Sequence, residues 1–588
     1  TWAAMCRVPA AIGRSMMPER ICRNKTCQPC TDLVQPLHVR GCSGKKKSVT
    51  DDFFNDRDPW WRGATIYQVY PRSFCDANGD GIGDLDGVHA KLDYVRSLGV
   101  DGIWLSPFFR SPQDDFGYDV SDHTDVDPIF GSLNDFDRLL AAAHERELKI
   151  VIDQVYSHTS DRHAWFEDSR HDADNAKADW YVWADAKDDG SPPNNWLSVF
   201  GGPAWTWDAR RRQYYLHNYL PTQPDLNLHN RAVQDALLDV ARFWLERGVD
   251  GMRLDAINYG MHDDGLRDNP AAAQKYGRPA RPWLMQVKKY NTNHARMPAF
   301  LERLRKLSDE YGDILTVAEV GGADSVRIMQ SYTQGNRRLS TAYGFDFLNL
   351  DAVTAADVRA SLSRWPGAED AGWPSWAFSN HDAPRVVTRW SIGNDPQQRA
   401  RLFALLLVSL RGNAFVYQGE ELGLPQADVP FEALRDPEAI AHWPHSLGRD
   451  GARTPMPWRR NGINAGFSAA APWLPVDAAH VPLAVEAQED DPDSVLNFSR
   501  RTLQLRRSSL ALRTGAMEFI DAPDEVLAFS RSAPGETLVC VFNLAERPVD
   551  WTPPGMSAAH LITGVGIDES CLPETLPGCS GYIASLQA

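Results

Sequence analysis

The chain has 588 residues, 43% hydrophobic and 24% charged, long enough for one large domain and one or two smaller ones. Its formal net charge of −17 excludes an extended phosphate-binding surface, so nucleic acid is not an expected partner.

Residues 1–57 carry five of the nine cysteines (Cys6, Cys22, Cys27, Cys30, Cys42) and no apolar periodicity. The Cys27–Cys30 "CQPC" pair lacks the second half of a zinc site. Pro9, Gly13 and Arg14 interrupt any secretory core, so this segment reads as a disordered or non-native extension and the protein as cytoplasmic. Beyond it, the whole middle of the chain has only Cys75, as in a reducing compartment.

From Trp60 the sequence alternates strands and helices. "ATIYQVYP" reads as a strand, and "LDGVHAKLDYVRSLG" as a helix with Leu85, Val88, Leu92, Val95 and Leu98 on one face. "VDGIWLSP" is a second strand. The helix "SLNDFDRLLAAAHERE" opens on a capping box, Ser132 with Asp135, and "KIVIDQVYSH" follows as a third strand. Residues 159–229, rich in Trp, Asp, Asn and Pro, are too long for a loop and predict an inserted subdomain. The alternation then resumes with "VDGMRLDAI", "ILTVAEV", "TAYGFDFL", "WAFSNHD" and "NAFVYQGEELG" as strands. The most apolar run, Leu402–Leu410, is nine residues against the ~20 of a membrane span, and predicts a buried helix. From residue 510 onward, short alternating segments predict a small antiparallel β domain. The fold class is therefore α/β, a (β/α)8 barrel over 58–158 and 230–509, with a doubly wound sheet as the alternative.

Polar residues recur at the C-terminal ends of these strands: Tyr118 and Asp119 after the second, Asp153 and His158 after the third, Arg253 and Asp255 on the fourth, Glu319 on the fifth, His381 and Asp382 after the seventh. A barrel turns all of them toward one mouth. Each alone fits a structural ion pair or a satisfied histidine; together they predict a site. Several carboxylates without a set of metal-binding His or Cys suit acid–base work on an acetal. Arg253 shares a strand face with Asp255 and is expected to hold its pKa low, while apolar neighbours raise that of Glu319.

"DQVYSH", "QPDLN", "GMRLDAIN", "TVAEV" and "FSNHD" resemble the signature regions of the α-amylase family (glycoside hydrolase family 13), in its α-glucosidase and oligo-1,6-glucosidase branch. The resemblance implies Asp255 as nucleophile, Glu319 as acid/base and Asp382 as transition-state stabiliser. It implies His158, Arg253 and His381 around the sugar, Tyr118 stacked beneath it, and Asp119 with Arg449 gripping the non-reducing-end glucose. The implied reaction is retaining, exo-acting hydrolysis of α-1,4-linked glucose from maltose and short oligosaccharides, with transfer to other hydroxyls. An oligo-1,6-glucosidase or a sucrose hydrolase or isomerase is the alternative, and a non-catalytic amylase-like binding protein a remote one. Ala256, in place of the Val of α-1,6-acting members, resembles α-1,4-acting ones. Ser157 replaces the Asn with which many amylases ligate a calcium, so that ion is not expected. A different structural calcium is, on "DANGDGIGD": Asp76, Asn78, Asp80, the Ile82 carbonyl and Asp84 place oxygens as an EF-hand loop does, although Gly87 stands where that motif has Glu.

Overall fold

The computed structural model describes residues 58–586 apart from 274–278, 280, 323, 366–371, 447, 556–558 and 569–570. The expectations placed on residues 1–57 lie outside the described residues. Eight parallel strands form one sheet: β1 (Thr65–Val69), β2 (Gly102–Leu105), β3 (Lys149–Val155), β4 (Gly251–Asp255), β5 (Leu315–Val320), β6 (Thr341–Gly344), β7 (Ser375–Ala377) and β8 (Asn413–Tyr417). Their order is β6-β5-β4-β3-β2-β1-β8-β7, and a parallel bridge between Ala342 and Pro374 joins the two ends into a barrel. Each strand coincides with one expected from the sequence, and the doubly wound alternative falls with the closure.

Burial on both faces explains the apolar strands. Ile66, Trp104, Val151, Leu315, Val317, Tyr343 and Phe415 fill the interior, while Met252, Leu254, Ala318 and Val320 pack outward under the helices. On β4 and β5 this alternation leaves Arg253, Asp255 and Glu319 on the inner face.

The helix 85–98 differs from expectation. Leu85–Ala90 and Leu92–Ser97 are separate helices, and Lys91 between them leaves helical geometry (φ −108°, ψ 9°) with its ammonium 4.2 Å over Trp458. The capping box is present: Asp135 accepts from the Ser132 N–H at 2.8 Å. Pro396–Ser409 is a buried helix, and among the described residues no helix is long and apolar enough to cross a membrane.

Between β3 and β4, a helix (Ala164–His171) and a three-stranded antiparallel sheet make up the inserted element, around Trp196, Trp205 and Leu216. The C-terminal segments form a five-stranded antiparallel sheet beginning at Ala516. Leu527, Phe529, Phe542 and Ile583 of that sheet belong to the same apolar core as the barrel helices.

Candidate active site

Arg253 is the hub. Its side chain is fully buried, and Nη1 donates to Asp153 Oδ1 (2.8 Å) and Asp255 Oδ1 (2.6 Å). Nη2 lies 2.6 Å from Glu319 Oε1 and 3.2 Å from the Tyr343 hydroxyl. The guanidinium rests 4.9 Å from the Trp104 ring, so aromatic faces replace the water it lost. One planar fork thus holds three carboxylates in register.

That sharing overturns the low pKa expected of Asp255, while the raised pKa expected of Glu319 stands. Burial pushes Asp255 up to about 7 against the pull of Arg253, and Asp153 and Asp382 add to the rise. Burial likewise pushes Glu319 up to about 7 and Asp153 up to about 6. A single positive charge divided among three buried carboxylates cannot offset the desolvation of any one of them. The cluster as a whole therefore keeps a proton near neutral pH.

The chain just past Asp255 positions Glu319. Ala256 has a left-handed backbone (φ 40°, ψ 35°), and its N–H donates to Glu319 Oε2 at 3.0 Å. A β-branched residue is strained there, so the backbone itself calls for a small side chain. This reason for Ala256 is independent of linkage.

Asp382 stands apart in charge. Burial alone would raise its pKa, but His381, Arg453, Arg449 and Arg253 together hold it well below the usual carboxylate range. Arg453 Nη2 donates to its Oδ1 at 2.7 Å. His381 Nδ1 accepts from Gln68 Nε2 at 2.8 Å, which leaves Nε2–H to face the Tyr118 hydroxyl (2.6 Å) and Asp382 Oδ2 (3.2 Å). Tyr118 stacks on His381 (centroids 5.4 Å apart, 7° between planes) and donates to Asp153 Oδ2 at 3.1 Å. His158 donates from Nε2 to the Tyr118 carbonyl (3.0 Å) and packs 5.1 Å from Tyr219 of the insert. The structure thus gathers Tyr118, His158, Arg253, Asp255, Glu319, His381 and Asp382 at one mouth.

Asp119 is the exception. It is fully buried and accepts from the Ser111 hydroxyl (2.8 Å) and the N–H groups of Asp114 (2.9 Å) and Asp115 (3.1 Å), so its carboxylate ties its own loop. The partner of Arg449 is instead Asp115, whose Oδ1 accepts from Nη2 at 2.8 Å. Arg449 also reaches Asp436 (2.9 Å) and Asp382 (3.5 Å), and lies 5.0 Å from the Phe200 ring of the insert. Asp115, Asp436 and Arg453 are not singled out by the sequence motifs. Arg453 lies inside "GRDGARTPMPW", and Asp115 four residues before Asp119; Asp436 has no signature of its own.

The 76–84 loop closes on its own backbone. Asp76 accepts from the N–H groups of Gly79 (2.6 Å) and Gly81 (2.8 Å), and Asp84 from those of Ala77, Asn78 (3.1 Å each) and Gly87 (2.6 Å). Asp80 accepts from the N–H of Ile82 (2.8 Å) and from the Asn78 amide (3.1 Å). Among the described residues no three Asp, Glu, His or Cys side chains gather as metal ligands. These N–H contacts order the loop without using every carboxylate lone pair; a calcium here would be held by Asp76, Asn78, Asp80, the Ile82 carbonyl and Asp84 and would be structural.

Comparison with known proteins gives the family. The family model for the alpha amylase catalytic domain matches residues 68–515. A probable alpha-glucosidase of Rhizobium meliloti (strain 1021) is 53% identical over 84% of this chain and 90% of its own length. An oligo-1,6-glucosidase of Heyndrickxia coagulans is 39% identical over 84% of this chain and 94% of its own. The crystal structure of an alpha-glucosyl transfer enzyme, XgtA, superposes with a TM-score of 0.86 at 49% identity, covering 90% of this chain and all of that one. The chain therefore belongs to the α-amylase family and is a glycoside hydrolase of its α-glucosidase group.

Proposed function

We propose that the protein is a retaining, exo-acting α-glucosidase that removes α-1,4-linked glucose from the non-reducing ends of maltose and short oligosaccharides. The observation that carries this reading is the position of Arg449 beside Asp382. Arg449 donates to Asp115 at 2.8 Å and lies 3.5 Å from Asp382, a placement that suits a positively charged stop behind one terminal sugar.

The chemistry follows from the two carboxylates on Arg253. Glu319, carrying the proton the cluster retains, gives it to the glycosidic oxygen as that bond breaks. Asp255 attacks the anomeric carbon and forms a β-glucosyl ester; the departing sugar leaves with the proton. Glu319, now ionised, takes a proton from water as its oxygen displaces Asp255. A sugar or alcohol hydroxyl in place of water gives glucosyl transfer. Asp382, held anionic, binds sugar hydroxyls and stabilises the developing positive charge. Asp115 replaces Asp119 in the grip on the terminal glucose. The preference for α-1,4 links is carried by the likeness of Ala256 to α-1,4-acting members, beside the backbone reason for a small residue there.

Glucose release from maltose, isomaltose and sucrose at equal enzyme and substrate tests the reading, with the product anomer followed by NMR. Maltose is expected to be cleaved fastest, with α-glucose formed first. Dominant isomaltose turnover overturns the linkage preference, and β-glucose as first product overturns the retaining mechanism.

A further inference from the structure

Arg449 approaches the glucose pocket from a loop, where a long side chain has many rotamers to lose. Its geometry is set by a carboxylate that no motif marks. Asp436 is fully buried and takes four donors: the Arg449 backbone N–H (2.6 Å), Nε (3.2 Å) and Nη2 (2.9 Å), and the N–H of Glu438 (3.1 Å). The last of these caps the short helix Pro437–His442. The other three clamp backbone and guanidinium of one residue together. The chain passes so close that a Cβ on Gly448 (φ +61°) would lie 2.4 Å from Asp436 Oδ2, so the contact itself requires glycine there.

We propose that Asp436 is the positioning residue that aims Arg449 at the terminal glucose and so sets affinity in the donor pocket. Nη2 is shared between Asp436 and Asp115, while Asp115 Oδ2 is held by Gln223 Nε2 at 3.1 Å. Without Asp436, Arg449 keeps Asp115 and Asp382 as partners but loses the backbone clamp and the Nε contact. It must then be ordered each time sugar binds. That loss falls equally on substrate and transition state, so it weakens binding and spares the chemical step. The inference rests on the reading that Arg449 contacts the terminal glucose.

The experiment compares Asp436→Asn, Asp436→Ser, Arg449→Ala and Arg449→Lys with the parent enzyme, measuring KM and kcat on maltose, inhibition by glucose, and thermal melting. Asp436→Ser keeps a cap for the Glu438 N–H but cannot clamp Arg449. Both Asp436 variants are expected to raise KM and the glucose inhibition constant in parallel, by about tenfold or more, with kcat within about threefold. A serine variant with the parent KM would mean that capping is the whole role, and overturns the proposal. If neither Asp436 variant folds, Arg449→Lys decides: it keeps the charge but loses the clamped fork, and a parent-like KM overturns the proposal. Parent-like values in Arg449→Ala would instead overturn the reading of Arg449 itself.

Discussion

Arg253 has one charge and three acidic neighbours, so burial raises the pKa of each against its pull. Glu319 has a folded-state pKa raised to about 7, so its ionisation opposes folding. That opposition is absent below about pH 4.5 and complete above about pH 7. Glu319→Gln removes it, worth on the order of 3 kcal/mol by the size of the shift. The variant is expected to melt several degrees higher than the parent at pH 8 and alike at pH 4, in paired calorimetric scans; equal melting at both would dissociate Glu319 from the strain. The parent's kcat on maltose is expected to decline above about pH 7, as the acid loses its proton. Asp255→Asn should lower turnover by about 10⁴-fold or more while sugar binding survives, which titration calorimetry with maltose would show. That Asp115 rather than Asp119 bonds Arg449 has a physical source. Asp115 and Asp119 occupy one loop, and only the fold reveals which carboxylate the loop's own N–H groups consume. Asp115→Asn is accordingly expected to raise KM about tenfold with an unchanged melting temperature, whereas Asp119→Asn should lower the melting temperature first.

Strands were legible because their period and burial are local properties. All eight barrel strands are short apolar runs bounded by glycine or polar residues, and the shared face of Arg253 and Asp255 follows from alternation along β4. The left-handed turn at Ala256 was not legible, since nothing in "DAIN" encodes a positive φ. Nor were contacts such as Arg449 with Asp115, which join residues 334 positions apart. The end of β4 nonetheless makes a sharp prediction. Ala256→Val puts a branched side chain into the left-handed region at about 1–2 kcal/mol, and pulls on the N–H that holds Glu319. Its kcat on maltose is expected to fall at least about tenfold, while Ala256→Gly, which adopts this backbone freely, keeps most of it. A glycine variant as slow as the valine one would shift the cause from backbone to side-chain packing.

At the scale of the whole molecule, barrel and C-terminal sheet fold as one body. Arg531 of that sheet donates to the Ser409 carbonyl at 2.7 Å, Gln398 Nε2 reaches the Cys579 carbonyl at 2.8 Å, and the apolar core runs through the junction. A chain ending at residue 514 would expose this surface and is expected to give no cooperative melt; a folded, active fragment would show the junction to be dispensable. The crowding of acids at the barrel's mouth also reaches beyond substrate. With Asp153, Asp255 and Glu319 sharing a single guanidinium, the mouth is expected to attract small organic cations. A protonated amine dressed with hydroxyls offers the charge of the transition state without its chemistry. Hydroxylated amine buffers should therefore act as competitive inhibitors, tightening as pH rises through about 7 and loosening once the amine itself loses its proton.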